Sequence, residues 1–136
     1  MSERQNFIVS FRAQHPTMPA EMLAEAVGFE PNVAWTAGDP RKTPKGRPLD
    51  GVRSQTYIAA RLPATAGNLT DALAPFPDRL TARASALSTL VAGGAELDFY
   101  VTLDGPLGVV IAPGLMKRLA NLNIALGLDG LEAGVR

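Results

Sequence analysis

Alternation of apolar and polar positions marks the strands of this chain. Leu97, Phe99, Val101 and Leu103 alternate with Asp98, Tyr100, Thr102 and Asp104, the pattern of a strand with one face in water. Phe7, Val9 and Phe11 share one face near the N-terminus, and Ser10 and Arg12 the other. Thr56 to Leu62 reads as a strand in which Ile58, Ala60 and Leu62 oppose Tyr57, Ala59 and Arg61, and Pro63 stops it. Val33-Ala34-Trp35 suggests a short strand, and Ile124, Leu126 and Leu128 a last one. Asp104-Gly105-Pro106 reads as a turn, with Gly108 to Ala112 as the returning strand of a hairpin.

Helical spacing fills the intervals. Met22, Leu23, Ala26 and Val27 form one stripe of a helix from about Pro19 to Val27. Gly28 then supplies a left-handed C-terminal residue, Phe29 folds back on the last turn, and Pro31 prevents continuation. Asn68, with Asp71 three residues on, caps a short turn through Leu73. Pro77 opens a helix carrying Leu80, Ala84, Leu87 and Val91, which Gly93-Gly94 ends. Pro113 opens another, with Leu115, Met116, Leu119 and Leu122 inward and Asn123 as its stop.

The expected order is strand, helix, short strand, strand, helix, hairpin, helix, strand. Strands apolar on one side only imply an α+β fold: a mainly antiparallel sheet with helices packed on one face. A proline-opened helix in each half (Pro19, Pro113) hints at two ferredoxin-like half units. Phe7, Val9, Phe11, Leu97, Phe99, Val101, Leu103, Leu119, Leu122 and Leu126 are expected to share one core. A chain of 136 residues is one domain, because two cores would each be too small, and its core runs from about residue 7 to 129. Residues 38–53 hold three prolines and three glycines and read as a long irregular loop. That loop carries Arg41, Lys42, Lys45, Arg47 and Arg53 against Asp39 and Asp50, a local charge excess.

Composition narrows the function classes. With 46% hydrophobic and 19% charged residues the chain is globular. Thirteen basic residues balance thirteen acidic ones, so no bulk charge draws it to nucleic acid or an anionic membrane. The absence of cysteine excludes disulfides, thiolate metal sites and cysteine catalysis, and a single histidine excludes a multi-histidine metal site within one chain. The polar N-terminus does not read as a secretory signal, and no stretch reaches the roughly 18 apolar residues that span a bilayer, so a cytoplasmic protein is expected.

No catalytic, cofactor-binding or metal-binding residue emerges, and a non-enzyme without cofactor is expected. His15, before Pro16, reads as a surface turn histidine with no nucleophile elbow to serve. Asp98, Tyr100 and Thr102 read as a solvated sheet face. Asp39, Asp50 and Asp129 adjoin glycine or proline as turn residues do, and with Glu132 they lack cation-loop spacing. Gly93-Gly94 lacks the Gly-Lys-Ser/Thr of a phosphate loop. The candidate binding surface is Trp35, Tyr57 and Tyr100 with Arg41, Lys42, Lys45 and Arg47. It suits an anionic ligand or an acidic protein patch, the bland alternative being a core tryptophan beside a loop kept soluble by its charges.

The residues that punctuate the chain resemble the bacterial family catalogued as domain of unknown function 4279 (DUF4279). They are Gly28-Phe29-Glu30-Pro31, Trp35 and Gly38-Asp39 in the first half. In the second half they are Leu97-Asp98-Phe99-Tyr100-Val101, Ile111-Ala112-Pro113, Leu115-Met116-Lys117-Arg118-Leu119 and Leu122 to Asp129. Where such proteins often place a second tryptophan after the proline-rich loop, this chain has Tyr57. The resemblance implies a small stand-alone bacterial α+β domain, some relatives of which occur in settings that suggest immunity against toxins. The expected function is therefore a non-enzymatic protein-interaction module, immunity-like, with a protein partner. The alternative is a small-molecule-binding regulatory or sensor domain, homodimeric, with its ligand near Trp35, Tyr57 or Tyr100.

Overall fold

A computed structural model describes residues 6–63, 68–104 and 109–131. Its elements are β1 (Asn6–His15), α1 (Ala20–Val27), β2 (Val33–Trp35), β3 (Pro40–Lys42), β4 (Pro48–Val52) and β5 (Thr56–Leu62). They continue as α2 (Leu69–Leu73), α3 (Pro75–Thr81), α4 (Ala84–Ala92), β6 (Glu96–Asp104), α5 (Pro113–Asn121) and β7 (Ile124–Leu131). The fold is α+β. Five strands form one sheet in the order β2-β5-β1-β6-β7, antiparallel except for the parallel pair β6 and β7.

Period-two alternation determines which sheet face is buried. Val9, Phe11 and Ala13 of β1, Ile58 and Ala60 of β5, and Leu97, Phe99 and Val101 of β6 point to the helices and are buried. Leu23 and Val27 of α1, Leu80 of α3, Leu87 and Leu90 of α4, and Leu115 and Leu119 of α5 close over them. Phe11 is the hub, with Phe29 at 5.0 Å and Phe99 at 5.2 Å between ring centroids. Of the expected core, Phe7 and Leu126 are only half-buried. The opposite sheet face, carrying Arg12, Gln14, Tyr57, Arg61, Asp98 and Tyr100, has none of the described helices on it.

Helix ends follow local chemistry. Gly28 adopts φ +83° and its N–H closes on Ala24 O. The α3–α4 break at Arg83 serves the same terminus: the Arg83 guanidinium donates to Glu25 O at 2.8 Å and lies where a Gly28 Cβ would be. Asn68 Oδ1 accepts the Asp71 N–H at 2.8 Å, the expected cap. Asn123, at φ +59°, turns the chain straight from α5 into β7.

Several expectations fail for physical reasons. The returning strand over Gly108 to Ala112 does not form: Val109 to Ala112 lies outside any strand, and β7 takes the place beside β6 in parallel. Thr70 Oγ1 instead accepts the Ala112 N–H. The turn at Gly105-Pro106 and Gly108 itself lie outside the described residues. The 38–53 loop is ordered, with β3 and β4 paired as a separate hairpin. Pro40 and Pro48 open its strands, where a missing N–H costs no ladder bond, and Gly46 and Gly51 take positive φ in the turn and the bulged strand. The helix from Pro77 is two, α3 and α4, and Ala84 is exposed. Met22 and Met116 point to solvent, so the α1 stripe is Ala20, Leu23 and Val27. The half units share element order but not pairing. β5 sits between β1 and β2, whereas β6 and β7 pair directly.

Candidate functional site

Adjacent strands bring the aromatic residues together. Trp35 lies opposite Tyr57 in the β2–β5 register, both on the helix-free face, with ring centroids 4.8 Å apart and tilted by 31°. Arg53 lies over the indole, its guanidinium carbon 3.7 Å from the ring centroid. The same guanidinium donates to Lys42 O at 3.0 Å and so fastens the hairpin to the stack. Gly38 N–H to Arg53 O and Arg53 N–H to Asp39 O, each 2.8 Å, continue the β2–β5 ladder into the hairpin. Arg41 reaches back to Asp50 O at 3.2 Å.

A cavity of ≈370 Å³ opens beside this stack, lined by Gln14, Trp35, Arg41, Arg53, Thr56 and Tyr57 among others. Thr56 anchors its floor. It is fully buried; its hydroxyl donates to Met18 O at 2.6 Å and accepts the Ala37 N–H at 2.9 Å. Thr36 Oγ1 in turn accepts the Ala20 N–H at the start of α1. Two threonines thus hold the β2 end against the helix layer.

The expected surface splits into three places. Trp35, Tyr57 and Arg41 meet at the cavity. Lys42 lines a second hollow with Trp35, and Lys45 and Arg47 stand at the hairpin tip. Tyr100 lies apart on β6, its ring over Gly127, where a Cβ would come within 3.0 Å, and its hydroxyl donates to Asp129. That bond holds the phenol above its ordinary pKa. Arg12 fills the space between the tyrosines. Its guanidinium carbon stands 4.1 Å from the Tyr100 ring centroid and the group donates twice to Asp98, at 2.6 and 2.8 Å, which raises its pKa.

No protein-family model matches the chain, and comparison with curated proteins and solved structures likewise finds no match.

The chemistry on offer is therefore that of the residues themselves. Among the described residues the ion pairs are Arg12–Asp98 and Arg118–Asp78, so Arg41, Lys42, Lys45, Arg47 and Arg53 carry charge without a carboxylate in salt-bridge range. Asp39, on the β2 side of the sheet, and Asp129, on β7 at the other edge, are too dispersed to share a cation; Glu132 lies outside the described residues. Among the described residues no group of three or more acidic or histidine side chains could hold a metal.

His15 corrects the sequence reading. It is a buried histidine, not a surface one, and its Nδ1 accepts the N–H groups of Thr17 and Met18 at 3.1 and 2.9 Å. The imidazole terminates β1 by satisfying the turn that Pro16 begins, at the end of the ladder where His15 pairs with Thr56. Sequence reasoning also passed over Arg53 as a site residue. Its place above Trp35 follows from the pairing of 38 with 53, which periodicity does not reveal.

Proposed function

We propose that this protein is a non-enzymatic protein-interaction module, immunity-like, that takes an acidic partner surface on the Trp35–Tyr57–Arg53 stack and the basic hairpin. The supporting observation is a preorganised cation–aromatic stack continuous with hairpin cations that make no salt bridge among the described residues. Ordered aromatic and arginine groups lose little freedom on binding, as interface anchors should. Flanking cations speed encounter with an acidic partner in a salt-dependent way. The resemblance to the domain of unknown function 4279 family agrees with this reading, which includes a bacterial, cytoplasmic setting.

The test replaces Arg41, Lys42, Lys45 and Arg47 with serine. Exposed charges contribute at most about 1 kcal/mol each to folding, so the melting temperature should hardly move. Proteins captured from native lysate by the parent at low salt should be lost by the variant and by the parent at high salt. Capture that survives both changes overturns the proposal.

A second reading, a small-molecule sensor, draws on the ≈370 Å³ cavity with Arg41 and Arg53 in its wall. A metabolite that raises the melting temperature of the parent, and does so less for Tyr57→Ala, would favour it.

A further inference from the structure

We propose that the outer edge of β2 receives an extended segment of a partner protein as a sixth strand, its basic side chains toward α1 and its acidic or aromatic ones toward the hairpin. This rests on the interaction-module reading and names how the partner is held.

The backbone comes first. Asn32 Oδ1 accepts the Arg61 N–H at 2.8 Å, so Arg61 turns its amide toward β2. Amides of an antiparallel strand alternate between its neighbours, so Tyr57 and Ala59 face β2 as well and pair with Trp35 and Val33. Ala34, between them, therefore presents its N–H and C=O to the outside. The next outward donor, Thr36 N–H, is taken by Asp39 at 2.9 Å. Ala34 is exposed and carries only a methyl group, so another backbone can approach it.

Hollows lie on both sides of this edge, and Ala34, Trp35 and Asp39 line both. One, ≈670 Å³, runs between β2 and α1, with Ala20, Ala24 and Phe29 in its wall and Glu21, Glu25 and Glu30 at its rim. The other, ≈950 Å³, lies between β2 and the hairpin, with Val33, Pro44, Leu49, Lys42 and Arg53 around it. Successive side chains of an added strand point to opposite faces, so each hollow receives alternate residues. The net charges around the hollows are opposite in sign: Glu21, Glu25 and Glu30 outnumber Arg83 on the α1 side, Lys42 and Arg53 stand on the hairpin side, and Asp39 borders both. The edge thus suits a strand that alternates basic residues with acidic or aromatic ones.

A second copy of this chain fits poorly. Antiparallel pairing of two β2 edges about a two-fold axis keeps each sheet face on its own side. It would set Glu21, Glu25 and Glu30 of one copy toward the same carboxylates of the other, and hairpin cations toward hairpin cations.

The probe is a blocked peptide of about seven residues alternating lysine with glutamate and tyrosine, long enough to fill both hollows. Trp35, the chain's single tryptophan, reports directly. The expected result is a saturable change in its emission and slowed hydrogen exchange of the Ala34 amide. A peptide of the same composition with its lysines in one block should bind about tenfold more weakly, as should the alternating peptide N-methylated on the amides that face β2. Ala34→Pro, which removes the outward donor from an edge strand, should have the same effect, and Glu21→Gln with Glu25→Gln should weaken binding and flatten its salt dependence. Equal binding of the N-methylated and unmodified peptides overturns the proposal even if Ala34→Pro does not fold. So does failure of the alternating peptide to bind. If salt-sensitive capture through the hairpin persists in that case, the interaction-module reading stands without strand addition. Concentration-dependent dimerisation of the parent that Ala34→Pro removes would assign the edge to a second copy and overturn it too.

Discussion

Thr56→Val tests whether one hydroxyl holds the candidate site to the helix layer. Valine keeps the shape of threonine and replaces the hydroxyl with a methyl, so packing is preserved while two hydrogen bonds vanish. Met18 C=O loses its donor at 2.6 Å and the Ala37 N–H loses its acceptor at 2.9 Å. A buried polar group left without a partner costs about 1–3 kcal/mol. Both groups belong to half-buried residues, which water reaches in part, so the sum falls at about 2–4 kcal/mol. Thr56→Ser keeps the hydroxyl and loses one buried methyl, worth about 1 kcal/mol. Urea unfolding followed by Trp35 emission separates the two. With slopes of about 1–3 kcal/mol/M, the valine midpoint should fall by on the order of 1 M or more and the serine midpoint by clearly less. Valine that proves as stable as serine, or more so, would refute the role given to the hydroxyl.

Three other outcomes are expected. Leu119→Ala should cost about 2–5 kcal/mol, because this buried α5 residue belongs to the shared core; a change below about 0.5 kcal/mol in urea unfolding would show that α5 does not seal the sheet. His15→Ala should cost about 1–3 kcal/mol in the same assay, since the Thr17 and Met18 amides lose their acceptor. In a Tyr57→Phe background Tyr100 is the remaining tyrosine, and ultraviolet titration should place its ionisation above the ordinary phenol value of about 10, with Asp129→Asn bringing it down. A phenol whose pKa is raised on folding contributes stability that is complete below the unfolded pKa and is lost as pH rises through the folded one. That contribution should therefore fade only in strongly alkaline solution.

The sheet was legible in the sequence because its strands are buried on one face alone. Alternation placed Val9 with Phe11 and Leu97 with Phe99, and both pairs lie beneath the helices. Helix ends were legible where one residue type decides them, as at Gly28 and Asn68. Pairing partners were not. Val109 to Ala112 looked like a returning strand because a short apolar run has no period of its own, and whether β7 or that run lies beside β6 is a tertiary choice. The hairpin at 40–52 was hidden by its prolines, which are tolerated at strand starts and on edges. At the candidate site, the Trp35–Tyr57 contact needed only the two strands, but Arg53, Thr36 and Thr56 act across turns and between layers. The burial of His15 left no trace in local pattern, because its partners are backbone amides two and three residues on.

The central position of β1 has a consequence for synthesis. Its register ties residues 9–15 to β5 on one side and residues 6–14 to β6 on the other. A chain emerging from a ribosome can pair β1 with β5, and β5 with β2, once residue 62 is free, but β6 is complete only at residue 104, roughly 40 residues later. At about 5–20 residues per second, one edge of β1 stays unpaired for about 2–8 s. Over the same interval Val9, Phe11 and Ala13 wait for α5, and for much of it for α3 and α4. Chaperone capture and misassembly of this protein should therefore peak on nascent chains between those two lengths and fall away once β6 has closed the centre of the sheet.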